Sequence, residues 1–380
     1  MKRVRVGVIG PSWWVDYWHL PALLNHPDAE IVALCGSKPR DAAEVATKYG
    51  GGKEIPVFQD YEQMMDDIAL DGVIVCTPND MHHPATMAAL SRGIHVTCEK
   101  PVALNAEQAR EMVSAAADRQ LIGMSNFPYR ANPAAIALKE QITSGYAGTI
   151  LHVSGQYHGG FGLQRAPGWR GSRTHSGSGI LGDLGSHLID LARFATGDEF
   201  TAVSASSLTM VKGLDAGYPD GITLLRSEDP RVGDRNDDSC AFLSEFASGA
   251  QGVFHTSWIA HQGVYVQHQE LEVYGTEGRL RFLSTHTGTH LQGLKVGSDR
   301  WHTFPVPDVT PYDEKGVDDE DFFRPGRLNS TNNTYRWVEA IRDGATAITP
   351  DLVDGLRAQL VIDAVVQASA ERRWVDVEPS

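Results

Sequence analysis

The sequence predicts an α/β protein of two domains: a Rossmann-type, doubly wound parallel sheet over residues 1–125, and an α+β domain over residues 126–380. The chain of 380 residues is longer than one typical domain. Up to about residue 125, strands that are apolar throughout alternate with helices, which is typical of a parallel sheet covered on both faces. After about residue 150, longer strands alternate apolar and polar side chains, which predicts a large, mostly antiparallel open sheet.

The first domain contains five predicted strands, each followed or preceded by a helix. The strands cover residues 3–10, 30–37, 71–78, 94–101 and 121–127, and the helices cover residues 19–27, 40–50, 60–67, 83–93 and 105–120. Asn105 with Gln108 three residues later is a variant of the capping box, so it marks the start of the last helix. The alternation predicts a nucleotide-binding architecture.

The second domain contains strands that follow one another through turns. They cover residues 150–160, 200–211, 238–247, 250–260, 268–283 and 293–298, and two helices follow at residues 334–344 and 351–373. These C-terminal helices either stay in this domain or pack back on the first. The stretch from Thr285 to about Asn329 is polar and rich in Gly, Pro and Asp, which predicts long loops, with an insertion near the ligand site as one alternative.

The composition excludes some classes of partner. A net charge of −15 and a pI near 5.4 argue against nucleic acid and anionic membrane surfaces. No apolar run approaches the roughly 20 residues of a membrane span, and the first ten residues already form a core strand, leaving no room for a signal peptide. The four cysteines lack metal-type spacing, so we expect reduced thiols and a cytoplasmic location.

The turn after the first strand keeps one of the three glycines of a dinucleotide fingerprint. Gly10 holds the first position, Ser12 the second and Val15 the third. A side chain at the third position is expected to push the helix away from the strand, whereas the Ser12 hydroxyl could still donate to a phosphate. The helix N-terminus also offers N–H groups to an anion. We therefore expect cofactor contacts from Gly10, Pro11, Ser12, Trp13 and Trp14.

Two tryptophans stand in this turn, and two interpretations of them remain open. Trp13 or Trp14 lies against the cofactor or walls the substrate pocket, because aromatic faces suit sugar C–H surfaces and nicotinamide. Alternatively, both rings fill the gap left by a displaced helix.

The end of the second strand predicts which dinucleotide binds. A carboxylate here would bind the ribose diol, but the chain has Ser37, Lys38 and Arg40 instead. A hydroxyl and two cations suit a 2′-phosphate, so NADP is favoured over NAD. The alternative is a solvated helix start.

Two motifs resemble the Gfo/Idh/MocA family of NAD(P)-dependent sugar and cyclitol oxidoreductases. They are a TPN…H turn and an EKP strand end, here Thr77, Pro78, Asn79 and His82, then Glu99, Lys100 and Pro101. The resemblance implies a cis or strained bond before the proline and a lysine that points at the substrate and the nicotinamide. It also places all seven residues of the two motifs, together with Asn126, among the cofactor contacts. The alternative for Lys100 is an ion pair with Glu99 or another surface acid.

The segment from 177 to 197 has apolar residues at helical spacing. Asp183 and His187 are four apart and share one helix face, and Asp190 lies one turn beyond His187. A carboxylate one turn from a histidine can orient the ring and raise its basicity. The segment resembles the family's D-x-G-x-H helix, which implies that Asp183 and His187 join Lys100 as catalytic residues. The alternative is a structural surface pair.

The resemblance extends to further site residues. Tyr129, Arg130, His158 and Trp169 are assigned to the substrate, and Trp169 with Arg170 to the nicotinamide. The pairs His82–His83 and His152–His158 lack a third ligand at sensible spacing, so we expect no metal.

The resemblance covers almost the whole chain and departs at the glycine-poor turn, at the polar stretch from 285, and in a Gly10–His19 segment one residue longer than expected. It implies hydride transfer between a secondary alcohol of a sugar, cyclitol or related polyol and NADP or NAD. Two alternatives remain: a redox-assisted glycosidase that holds NAD tightly, and a non-catalytic nucleotide-binding protein. The exposed sheet face and the resemblance favour a homodimer or homotetramer.

Overall fold

Two sheets organise the chain in the computed structural model, which describes residues 3–164, 168–212, 222–261, 267–285, 288–306 and 332–380. The chain divides into two units. The first comprises Met1–Ala131 with Val309–Leu356, and the second comprises Asn132–Asp308 with Arg357–Ser380. Each unit is built around one of the sheets.

The sheet of the first unit is parallel throughout and has the strand order β3-β2-β1-β4-β5-β6. Its strands are β1 Val4–Ile9, β2 Ala29–Cys35, β3 Val57–Phe58, β4 Gly72–Val75, β5 His95–Glu99 and β6 Gly123–Asn126. This is the order of a dinucleotide-binding doubly wound sheet, with its switch point between β1 and β4. The predicted fold class is confirmed. The edge strand β3 was not predicted, because two residues after Pro56 carry no periodicity.

The α-helices follow the predicted pattern in the first unit. Those described are α1 Leu20–Asn25, α2 Pro39–Tyr49, α3 Tyr61–Asp67, α4 His82–Ser91, α5 Ala106–Asp118, α6 Pro133–Thr143, α7 Phe161–Gln164, α8 Arg173–Ser176, α9 Ser186–Thr196, α10 Asn333–Arg342 and α11 Leu352–Glu371. Asn105 caps α5 by accepting the Gln108 N–H at 3.0 Å, as its position predicts. Two π-turns precede α1 and α9, at Val15–His19 and Leu181–Gly185. Short 3₁₀ turns occur at Asn79–Met81, Pro128–Ala131, Gly168–Gly171 and Pro230–Val232.

Helix α10 belongs to the first unit, although 200 residues of chain separate it from β6. Its Trp337 is fully buried in the core around β1 and β4. A Cβ on Gly72 would lie 2.5 Å from the Trp337 ring, so β4 needs glycine where this indole packs. Helix α11 begins in the first unit and continues in the second.

The sheet of the second unit has ten strands in the described residues. They are β7 Ile150–Gly159, β8 Phe200–Lys212, β9 Ile222–Arg226, β10 Ser239–Phe246, β11 Gln251–Ser257, β12 Gln267–Gly275, β13 Gly278–Thr285, β14 Gly288–Lys295, β15 His302–Thr303 and β16 Val375–Asp376. Their order is β15-β14-β13-β12-β7-β11-β10-β8-β16, with β9 also paired to β8. Only β7 and β11 pair in parallel, so the mostly antiparallel sheet is confirmed.

The stretch from Thr285 to about Asn329, for which long loops and one strand at 293–298 were predicted, contains more strand in its first part than expected. Strands β14 and β15 lie there, and β14 pairs along its whole length with β13. The glycines and polar residues of β14 are uncommon in strands, so the sequence pattern does not indicate the full extent of this pairing. The remainder of the stretch, from 307, lies outside the described residues.

The two faces of the second sheet differ in polarity. Val153 and Tyr157 of β7 are buried on the face that receives α9, where Tyr157 lies 6.0 Å from the ring of His187. Because successive side chains of a strand point to opposite faces, Gln156 and His158 lie on the other face. This alternation is the one-sided pattern that the sequence predicts.

In the described part of the chain, no helix is long and apolar enough to cross a membrane.

All four cysteines are buried and carry free thiols, and burial raises the pKa of Cys35 to about 11.

Candidate active site

Gly10 forms the tight turn at the carboxyl end of β1. Its φ is +82°, and a Cβ at this position would lie 2.3 Å from the carbonyl oxygen of Cys76, at the end of β4. The Pro11 ring packs against Gly36, where a Cβ would lie 3.0 Å from Cδ of the proline. The turn therefore touches the carboxyl ends of both neighbouring strands, and glycine is required at Gly10 and Gly36.

The residue at the third fingerprint position faces the core of the first unit. Val15 is completely buried in the first unit's core and opens the π-turn Val15–His19. The Leu20 N–H bonds to the Val15 carbonyl, five residues back. A π-turn holds one residue more than the corresponding α-helical turn, which accounts for the additional residue between Gly10 and His19. The additional residue is thus taken up within the helix, and the displacement of the helix by the Val15 side chain stays a prediction.

The two tryptophans of the turn have different environments. Trp13 is 65% exposed and stands edge-on to Trp14, with ring centroids 5.4 Å apart. Trp14 stacks on Trp18 at 5.6 Å with an interplanar angle of 3°, and its indole N–H donates to Oε1 of Glu99 at 2.7 Å. Packing thus accounts for much of Trp14, whereas the exposed Trp13 ring is available to a ligand. Ser12 Oγ lies 3.6 Å from the Sγ of Cys76.

Glu99 is the most strongly anchored side chain at this edge of the sheet. Besides Trp14, its Oε1 faces His19 Nε2 at 2.9 Å and accepts from Asn126 Nδ2 at 2.5 Å. Burial alone would raise the pKa of this carboxyl. The hydrogen bonds from His19 and Asn126 and the charges of His19 and Lys100 outweigh it and hold the pKa at about 2. Glu99 is thus an ionised carboxylate that is only 6% exposed.

Lys100 and Pro101 follow directly, and the peptide bond between them is cis, as the resemblance implied. The Lys100 backbone N–H donates to Oε2 of Glu99 at 3.3 Å. His82 Nδ1 lies 2.8 Å from the Pro101 carbonyl, and His82 Nε2 lies 3.1 Å from the Thr77 carbonyl. Burial lowers the pKa of His82. Since both ring nitrogens face backbone carbonyls, His82 holds the two turns together rather than presenting a nitrogen to a ligand.

The residues expected to choose the dinucleotide lie at the end of β2. Ser37, Lys38 and Arg40 are exposed around the start of α2, with Lys38 at its N-cap. Neither cation forms an ion pair among the described residues, so both charges are available to an anion. The Gly10 turn and these three polar side chains fit a dinucleotide that carries a phosphate near the end of β2.

Two predicted substrate residues of the first unit are buried in one short turn. Tyr129 and Arg130 are buried in the 3₁₀ turn Pro128–Ala131. Arg130 Nη1 donates to Asp354 at 2.8 Å and to the Thr349 hydroxyl at 3.0 Å. A buried guanidinium requires such partners, so the pairing with Asp354 and Thr349 accounts for the burial of Arg130. Tyr129 is buried as well. The assignment of both residues to the substrate stays a prediction.

In the second unit, three predicted residues are in contact. The Arg170 guanidinium lies over the Trp169 ring at 4.4 Å, and its Nε donates to Asp183 Oδ1 at 3.3 Å. Asp183 sits in the π-turn Leu181–Gly185, and His187 follows in α9. Asp183 and His187 therefore lie one turn apart on one continuous helical segment, which places an ion-paired carboxylate beside a nearly buried imidazole.

His158 is not part of this group. Its neighbour Tyr157 faces His187, so His158 points to the opposite face of the sheet. There its Nε2 lies 2.8 Å from Nδ1 of His255. Burial, with the charges of His255 and His268, lowers the pKa of His158 to about 4. Period-two alternation thus separates His158 from α9, and its assignment to the substrate stays a prediction.

Sequence reasoning missed the residues that hold these groups in place. Asp237 accepts the Gly179 N–H at 2.8 Å and the Leu181 N–H at 3.0 Å, at the start of the segment that carries Asp183. His19 also lies 2.7 Å from the Thr334 hydroxyl, on α10. A polar run before β10 was the available signal for Asp237, whereas nothing local in the sequence points to Thr334.

No group of three or more His, Cys, Asp or Glu side chains in the described residues could hold a metal.

Comparison with known proteins identifies the family. Residues 4–127 match the family model described as "Oxidoreductase family, NAD-binding Rossmann fold", and residues 136–281 match the "GFO/IDH/MocA C-terminal domain". The levoglucosan dehydrogenase of Pseudarthrobacter phenanthrenivorans is 29% identical over 99% of both chains. The 1,5-anhydro-D-fructose reductase of Ensifer adhaerens is 30% identical over 73% of this chain and 74% of its own. A solved structure of levoglucosan dehydrogenase in complex with NADH and levoglucosan has a TM-score of 0.79 and 27% identity, covering 99% of this chain and 100% of that one. The chain therefore belongs to the Gfo/Idh/MocA family of oxidoreductases, as its TPN and EKP motifs indicated.

Proposed function

We propose that this oxidoreductase transfers a hydride between a secondary alcohol of a sugar, cyclitol or related polyol and a nicotinamide cofactor, with Lys100, Asp183 and His187 as its catalytic residues. One observation carries the assignment in the first unit. Gly10, Thr77 and Lys100 follow the carboxyl ends of β1, β4 and β5, which are neighbours in the sheet. Ligands of doubly wound sheets bind at this edge, beside the switch point between β1 and β4.

Each catalytic residue has a separate task. His187 removes the hydroxyl proton, as an imidazole does near neutral pH. Lys100 donates a hydrogen bond from its ammonium to the same oxygen and stabilises the charge that develops there. Asp183 accepts hydrogen bonds from substrate hydroxyls, and its ion pair with Arg170 fixes its orientation. The nicotinamide, when bound, supplies the hydride acceptor or donor.

The cofactor is NADP rather than NAD in this proposal. Lys38 and Arg40 are exposed, unpaired cations among the described residues, and Ser37 adds a hydroxyl beside them. A 2′-phosphate carries negative charge that these groups would neutralise, and no carboxylate occupies the ribose position at the end of β2. The NADH complex of levoglucosan dehydrogenase supports the alternative, NAD.

A spectrophotometric screen tests the function. The chain is incubated with NAD⁺ or NADP⁺ and a panel of sugars, anhydrosugars, inositols and glycosides, and reduced cofactor is followed by its absorbance. We expect turnover of at least one polyol, with NADP⁺ preferred. Lys100→Ala should lower kcat by about 10² or more while changing cofactor affinity little, since its hydrogen bond strengthens in the transition state. Free sugar release from a glycoside without accumulation of reduced cofactor would favour the redox-assisted glycosidase.

A cofactor-specificity experiment isolates Lys38 and Arg40. Replacing each by alanine should raise the KM for NADP⁺ by about tenfold, because a charge-assisted contact contributes roughly 1.5–3 kcal/mol. The KM for NAD⁺ should not rise, which makes NAD⁺ the internal control. An equal loss for both cofactors would contradict the preference for NADP.

We further propose a homodimer or homotetramer in the cytoplasm. On the face of the second sheet opposite α9, Leu243 and Val253 are directly paired on β10 and β11 and about half exposed. Exposed apolar pairs on an open sheet suit association with a second copy. The four buried, unlinked thiols support a reducing compartment.

A further inference from the structure

Trp14 occupies a turn where the dinucleotide fingerprint has glycines, and its indole N–H contacts the carboxylate that precedes Lys100. We propose that Trp14 is a positioning residue for Lys100, acting through Glu99; this rests on the proposed function, in which Lys100 contacts the substrate.

The connection runs through the two oxygens of one carboxylate. Oε1 of Glu99 faces three nitrogens, from Trp14, His19 and Asn126, at 2.7, 2.9 and 2.5 Å. Oε2 accepts the backbone N–H of Lys100 at 3.3 Å. The three nitrogens come from the turn after β1, from the π-turn and from β6, so they fix the carboxylate from different elements. Any rotation of Glu99 would therefore displace the hydrogen bond to the Lys100 backbone.

The π-turn is the reason why Trp14 reaches Glu99. Trp14 and His19 are five residues apart, with Trp14 at the N-cap of Val15–His19 and His19 at its last position. In an α-helix, residues five apart point in directions about 140° apart. A π-turn closes its hydrogen bonds between residues five apart and winds more loosely than an α-helix, so it brings the two side chains closer to one side. The additional residue of this segment therefore directs the Trp14 and His19 nitrogens to the same oxygen of Glu99.

Space filling does not explain the direction of the indole. A filler needs only the contact of Trp14 with Trp18, and phenylalanine would provide a similar face. A buried carboxylate, however, is costly unless its oxygens accept hydrogen bonds. The Trp14 N–H meets that need at Oε1, which a hydrocarbon ring could not do.

The test removes the N–H and keeps an aromatic ring. Trp14→Phe should lower kcat by about 10- to 100-fold, the range that corresponds to one hydrogen bond to a charged group. KM for the cofactor should change less than twofold, because the change acts through Lys100. Trp18→Phe is the matched control, since it alters the same ring stack and keeps the Trp14 indole that donates to Glu99. This control should keep kcat, whatever its effect on the melting temperature.

Two further measurements separate positioning from packing. The indole N–H signal of Trp14, identified among the eight tryptophans by its loss in Trp14→Phe, should move when Glu99→Gln removes the charged acceptor. In turnover, Trp14→Phe should have little further effect in the Glu99→Gln background, because residues that act through one group are not additive.

The outcomes are distinct. An indole signal indifferent to Glu99→Gln, wild-type kcat in Trp14→Phe, or multiplicative effects in the double variant would each overturn the positioning role alone. A wild-type chain that turns over no polyol with either cofactor would overturn the proposed function, and with it any role of Trp14 in turnover.

Discussion

Replacing Asp237 by asparagine should loosen the helical segment that carries Asp183 and His187. The Asp237 carboxylate accepts two backbone N–H groups, from Gly179 at 2.8 Å and from Leu181 at 3.0 Å. Glycine at position 179 permits this close approach of the two segments, since a Cβ on Gly179 would lie 2.3 Å from the Asp237 carbonyl oxygen. Asp237 is therefore a cap supplied by a distant loop to a helix start that has no side-chain cap of its own.

The magnitude follows from the number of acceptors. An amide offers one oxygen to two donors, so one buried N–H loses its partner at a cost of about 1–3 kcal/mol. The hydrogen bond that remains has a neutral acceptor in place of a charged one, and the negative charge beside the helix N-terminus is lost. These two changes together cost about 1–2 kcal/mol of stability. Burial raises the pKa of Asp237, so removing the charge returns part of this cost. We expect a net loss of about 2–3 kcal/mol.

Thermal unfolding and hydrogen exchange measure this loss. A loss of 2–3 kcal/mol corresponds to a Tm decrease of about 5–10 °C in a domain of roughly 200 residues, and amide exchange in α9 should accelerate. Asp299→Asn makes the same change at an exposed site and should alter neither quantity. Unchanged exchange in α9 would refute the capping role of Asp237.

Three other predictions follow from single contacts. Gly10→Ala should weaken cofactor binding at least about tenfold in a fluorescence titration, because its Cβ would meet the Cys76 carbonyl at 2.3 Å; an unchanged Kd would contradict the tight turn. Burial lowers the pKa of His26 from 6.5 to about 4, so the unfolded chain binds the proton more strongly, and stability falls as the pH drops from 6.5 to 4. His26→Gln should flatten this part of a stability–pH curve, whereas an unaltered slope would assign the acid sensitivity elsewhere. Leu243→Asp combined with Val253→Asp should dissociate the proposed oligomer in size-exclusion chromatography, and retained assembly would move the interface to another face.

The order of strands and helices in the first unit could be predicted because most of these elements have a clear local sequence pattern. Fully apolar strands, capping residues and breaking glycines gave five of the six strands of the parallel sheet. The exception, Val57–Phe58, is defined by its partner β2 and not by its own pattern. The same limit applies to β16, two residues at the C-terminal end that pair with β8.

Candidate site residues could be chosen from the sequence where a motif names them, whereas the partners that the fold supplies to them could not. Lys100 and His187 could be chosen from motifs, and Asp183 with Arg170 proved to be in contact. By contrast, Arg130 meets Asp354, more than 200 positions along the chain, and no pattern around Arg130 distinguishes this partner from a ligand. His158 shows a different limit, because its position in β7 defines a face only once the neighbouring helix is known.

The π-turn at Val15–His19 explains the additional residue that the sequence shows in this segment. The segment lacks two of the three fingerprint glycines and precedes the predicted helix at residues 19–27, so a helix held away from the strand was expected. A π-turn absorbs the additional residue within the helix and leaves Val15 buried and Gly10 in its tight turn. The second π-turn, Leu181–Gly185, places Asp183 directly before α9. In each unit, then, a π-turn lies beside a predicted site residue. Its additional residue changes which side chains lie close together, while the apolar face of the helix still packs against its core.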